Sequence, residues 1–121
     1  MLRKSKSPVP FEFERSGGSL ITARVDIWKA TEDGWLAVGA CEFNDPTAPN
    51  EQAQVKLDAG SYTCVFQCSV EESINGVYEF TLTVGGKATF ADKGDVNTTM
   101  ARDDQKVFKD QFILEVQKGR P

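Results

Sequence analysis

The sequence predicts an all-β protein, an antiparallel β-sandwich or jelly roll of about eight to nine strands, and three observations carry that prediction. Apolar and polar residues alternate with a period of two along most of the chain, and helical periodicity is nearly absent. Turn signals recur about every 8 to 12 residues, the spacing of a sandwich. Two tight-turn pairs, Asn75-Gly76 and Gly85-Gly86, each sit between alternating apolar runs. Both pairs readily adopt the positive φ angles of a two-residue hairpin.

The elements follow in order. Residues 1–8 carry Arg3, Lys4 and Lys6 against no acid and read as a flexible basic tail, leaving 9–121 as a single sandwich domain. Val9, Phe11 and Phe13 face one way and Glu12 and Glu14 the other, until Gly17-Gly18 breaks the strand. Ile21, Ala23, Val25 and Ile27 then alternate with Thr22, Arg24, Asp26 and Trp28, a half-buried strand. Asp33-Gly34 marks a turn into a strand from Trp35 to Phe43, with Trp35 expected in core or corner packing and Gly39 marking a bulge or a close backbone approach. Pro46 and Pro49 define a polar loop over 44–50, since proline cannot donate to a ladder. Ala53, Val55 and Leu57 form a short strand closed by Asp58-Ala59-Gly60.

The two tight turns predict three consecutive strands folding back on one another, over roughly 61–74, 77–84 and 87–91. Residues 92–109 are polar and fit a long loop, a short helix or an edge strand. Phe112, Leu114 and Val116 face inward in the last strand.

Composition narrows the function classes. With 121 residues, 40% of them hydrophobic and 26% charged, the chain suits one ordinary globular domain. The net charge is −4, and Glu32, Asp33, Glu42, Asp45, Glu51, Asp58, Glu71 and Glu72 face only Lys56 between residues 30 and 72. A nucleic-acid binder needs a broad positive footprint, which this body lacks. Apolar runs are strand-sized, so no membrane span is expected. No apolar stretch follows the basic start, so no secretory leader is expected there, and the compartment is not set by the sequence.

Three cysteines cannot pair fully. Cys64 and Cys68, four apart in one strand, lie about 13 Å from each other, beyond disulfide reach. With Tyr62, Phe66 and Val70 they form an inward face, while Cys41 could meet either of them across strands. With no histidine, a structural zinc site is not expected.

The passage Val55-Lys56-Leu57-Asp58-Ala59-Gly60-Ser61-Tyr62-Thr63, with Asn75-Gly76-Val77-Tyr78-Glu79-Phe80-Thr81-Leu82, resembles bacterial pre-peptidase C-terminal-type domains. Those small jelly rolls carry a Leu-x-x-Gly-x-Tyr turn and a later Gly-x-Tyr-x-Leu-type strand. The similarity covers about residues 11–84, and this chain continues well beyond it. It implies an accessory binding or folding module, often of secreted proteins and sometimes linked to calcium.

Catalytic signatures are absent. A serine or cysteine nucleophile needs a base, most often histidine, and the chain has none. The nucleophile elbow, P-loop and dinucleotide glycine patterns are missing too. A carboxylate pair could still hydrolyse glycosides, although no spacing singles one out. For calcium, the candidates are Asp45, beside Asn44, Asn50 and Glu51, and Asp92 with Asp95, near Asn97. Such residues in loops more often serve turn chemistry. No other cofactor is implied. The sequon Asn97-Thr98-Thr99 carries no weight without an export signal.

The outward Trp28, in phase with Arg24 and Asp26, is the candidate binding group, because tryptophan supplies a rigid stacking surface with one donor. Cover by a loop or by the N-terminal segment is the competing expectation. The leading expectation is a non-catalytic module engaging a protein or carbohydrate partner through its loops or outer sheet face. The alternatives are a structural or assembly protein of a larger particle or fibre and, third, a carboxylate-type glycoside-active enzyme.

Overall fold

The computed structural model describes residues 1–17, 20–45, 47–71, 77–95 and 105–118. The described residues form β1 (Leu2–Lys6), β2 (Val9–Gly17), β3 (Leu20–Thr31), β4 (Gly34–Phe43), β5 (Asn50–Val55), β6 (Gly60–Glu71), β7 (Val77–Val84), β8 (Lys87–Asp95) and β9 (Gln105–Gln117). These nine strands build the predicted sandwich from two sheets, one ordered β1-β9-β6-β3-β4 and the other β5-β2-β7-β8. Every pairing is antiparallel except β1 with β9, which run parallel.

Period-two alternation does the building. Phe11, Phe13, Val25, Ile27, Phe66, Leu82 and Leu114 are almost fully buried between the sheets. Phenylalanines chain the core together, with Phe13–Phe43, Phe66–Phe90 and Phe90–Phe112 centroids 5.5, 5.3 and 5.9 Å apart. These are the offset and edge geometries that aromatic quadrupoles favour.

Two expectations change. The basic segment expected as a tail is strand β1, and Arg3 anchors it. Its Nε donates to Thr89 Oγ1 at 2.9 Å and its Nη2 to the Ala88 carbonyl at 2.8 Å, strapping one sheet to the other. The meander expected around Asn75-Gly76 does not form: β6 pairs with β3 and β9, whereas β7 pairs with β2 and β8. Alternation identifies the wet side of a strand but not its neighbour, and β6 and β7 bury their apolar faces from opposite layers. The Asn75-Gly76 turn itself lies outside the described residues. Gly85-Gly86 does close the β7–β8 hairpin, at φ +59° and +82°. Within 92–109, β8 continues to Asp95 as a sheet edge and β9 starts at Gln105.

Candidate functional site

Strand β3 organises the site. Thr22, Arg24, Asp26 and Trp28 alternate with core residues and so share the outer face of the five-stranded sheet. Arg24 Nε donates to Asp26 Oδ1 at 2.8 Å, and its Nη1 donates to Glu42 Oε1. The hydrogen bond that Arg24 donates to Asp26, then the charges of Asp26 and Glu42, push the Arg24 pKa further up. Asn44 Nδ2 donates to the other Glu42 oxygen at 2.9 Å. Arg24 and Asp26 therefore form a self-satisfied polar cluster. Beside it lies a shallow depression of about 250 Å³, lined by Thr22, Arg24, Asn44, Gln67, Ser69 and Val107.

Trp28 sits four residues along, half-buried. The registers place it in one row across the sheet with Thr63, Ile113 and Leu2 on one side and Ala37 on the other. Ile113 is 39% exposed and Leu2 47%. The row is thus largely apolar and open.

Trp35 corrects the sequence reading. Expected in core or corner packing, it is 62% exposed. The Glu32-Asp33 turn pairs Thr31 with Gly34 and Ala30 with Trp35, and Ala30 is in phase with outward Trp28. That signal was available in the sequence. A register shift at Ile27/Trp28 then absorbs Val38, so Gly39 faces Ile27 and the rest of β4 returns to the core phase at Cys41. On the inner side of the same hairpin, Lys29 and exposed Leu36 line a cleft of about 570 Å³ with Val38, Lys56, Leu57 and Tyr62.

The edge of this sheet differs from the others. Among the described residues the sandwich has four edge strands, β1, β4, β5 and β8. Charged residues punctuate three of them: Arg3, Lys4 and Lys6 on β1, Glu51 on β5, and Lys87, Asp92, Lys93 and Asp95 on β8. From Trp35 to Cys41, β4 has neither charge nor proline, the usual guards against edge pairing.

Two of the calcium candidates, Asp45 and Asp92, are engaged within the chain. Asp45 Oδ1 accepts from the Thr47 hydroxyl at 2.6 Å and from its amide at 3.0 Å, and these bonds hold the Asp45 pKa below its ordinary value. Glu51 is drawn to Arg15, and Asn50 Nδ2 donates to Glu12 Oε2 at 3.1 Å. Asp92 Oδ2 accepts from the Tyr78 hydroxyl at 3.1 Å, with Lys106 Nζ 4.0 Å away. The Asp95 backbone pairs with Val77, while its side chain and Asn97 lie outside the description. Among the described residues, no group of three or more histidine, cysteine or acidic side chains comes together in a metal-binding arrangement.

All three cysteines are free and buried. Strand β3 lies between β4 and β6, which separates Cys41 from Cys64 and Cys68. Burial pushes the Cys41 thiol up to about 11 and those of Cys64 and Cys68 to about 12. Among the described residues, no helix is long and apolar enough to cross a membrane. Compared with protein-family models, curated proteins and solved structures, the chain finds no significant match.

Proposed function

We propose that this protein is a non-catalytic interaction module whose outer five-stranded face engages a protein or carbohydrate partner. The observation that supports this reading is the open apolar row through Leu2, Ile113 and Trp28, continued by exposed Trp35 at the hairpin end. Tryptophan pairs a large rigid surface with one hydrogen-bond donor, a combination that concentrates binding energy. The neighbouring Arg24–Asp26–Glu42 cluster supplies a polar rim. The resemblance to accessory jelly-roll domains points the same way.

The test compares wild type with Trp28→Ala and Trp35→Ala on a glycan array and in affinity capture, with a thermal melt of each. Trp35→Ala is expected to lose the partner at an unchanged melting temperature, because its side chain is largely in water. Trp28→Ala loses the partner and melts slightly lower. A partner retained by both variants would move the contact off this face.

A second reading, a structural or assembly protein, is favoured by one specific observation. From Trp35 to Cys41, β4 offers an unguarded, uncharged stretch of sheet edge, the kind of edge to which another strand adds.

A further inference from the structure

We propose that copies of this chain associate head to tail, the β1 edge of one copy adding antiparallel to the β4 edge of the next. This inference rests on the assembly reading and names the surfaces it uses.

Charge decides among the pairings of the two edges of the five-stranded sheet, β1 and β4. Pairing β4 with a second β4 in antiparallel register places Glu42 of one copy beside Glu32 and Asp33 of the other, and these acids repel. Pairing β1 with a second β1 brings Lys4 and Lys6 together with their counterparts. Joining β1 to β4 sets a cationic strand against the uncharged run Trp35–Cys41, next to an acidic hairpin tip at Glu32 and Asp33. Only this third combination is attractive.

Strand direction fits as well. β1 runs parallel to β9, and three antiparallel steps through β6 and β3 lead to β4. β1 and β4 therefore run in opposite directions, and a copy added in the same orientation presents its β1 antiparallel to β4. The outer faces then form one continuous surface.

Register gives the residue pairs. Leu2 shares its row with Trp28 and Ala37. With that row kept in line, the incoming Leu2 falls beside Ala37, Lys4 beside Trp35, and Lys6 beside Asp33. An ammonium against an indole and an ammonium against a carboxylate are both favourable contacts. Among the described residues, the side chains of Lys4, Lys6, Glu32 and Asp33 make no ion pair within a single copy. Because two different surfaces meet, the contact repeats and builds an open filament or a ring.

The test is mass against concentration by sedimentation and light scattering, from about 10 μM to 1 mM, at low salt and at about 0.5 M salt, where charges are screened. Wild type is expected to grow with concentration and to shrink in salt. The variants Lys4→Glu/Lys6→Glu and Glu32→Lys/Asp33→Lys should each weaken association about tenfold or more. Combining all four substitutions in one chain should restore it, as should mixing the two variants, and a melt of each verifies its fold. Wild type that associates while the reversals change nothing would overturn the β1–β4 contact and leave the assembly reading standing. A strict monomer throughout would overturn both.

Discussion

Arg15 continues the inward phase of Val9, Phe11 and Phe13, and it is buried. Its Nε donates to the Ala48 carbonyl at 2.8 Å, and its Nη1 to the carbonyls of Ile21 and, at 3.2 Å, Phe43. Its Nη2 meets Glu51 Oε2 at 2.6 Å, and the guanidinium lies 5.1 Å from the Phe13 ring centroid. One side chain thus ties β2 to the opposite sheet and to the 44–49 loop. Arg15→Met should lower unfolding free energy by about 3 kcal/mol, because Glu51 and three carbonyls lose their donor; urea denaturation measures it. Strand phase alone places Arg15 inside, yet alternation says nothing of its partners, which come from segments 6 to 36 residues away. The same limit applies to Arg24 and Asp26. Their shared face was legible, whereas the bond from Arg24 to Glu42 required the β3–β4 register.

At the scale of the element, Gly17 shows why a turn residue can also be a packing residue. It reads in the sequence as half of a strand-breaking Gly-Gly pair. In the fold it ends β2 at φ +108°, and a Cβ there would lie 2.2 Å from the Val77 carbonyl oxygen of β7. Neither the backbone angle nor the neighbouring backbone yields cheaply. Gly17→Ala should therefore cost about 2–4 kcal/mol, seen as a lower urea midpoint with little change in slope. β1 was misread for a related reason. Five residues with three cations look solvated, and only the distant Thr89 and Ala88 show where Arg3 lands. The β7–β8 hairpin was legible because its turn is local. The β6–β7 connection crosses between sheets, and no local signal records that choice.

At the scale of the whole molecule, the cysteines set a limit on alkaline stability. Their native thiols ionise at about 11 for Cys41 and about 12 for Cys64 and Cys68, against 9.0 for free thiols. The unfolded chain therefore loses protons first. This contribution is fully present below about pH 9 and is lost as pH rises toward 11–12. Denaturant midpoints should fall above pH 9, and Cys41→Ala/Cys64→Ala/Cys68→Ala should flatten that fall. A thiol reagent at pH 8 should modify all three only after denaturation. The sandwich class was legible from period and turn spacing; the division of strands between sheets was not, since both sheets share one core. The parallel pairing of Leu2–Lys6 with Ile113–Gln117 adds a consequence in time. During synthesis β1 is made before β9 and must wait until residue 117 has been made. β6 likewise has one flank open until β9 arrives. Until β9 is made, this part of the nascent chain carries bare sheet edges, and the larger sheet closes only once β9 is available.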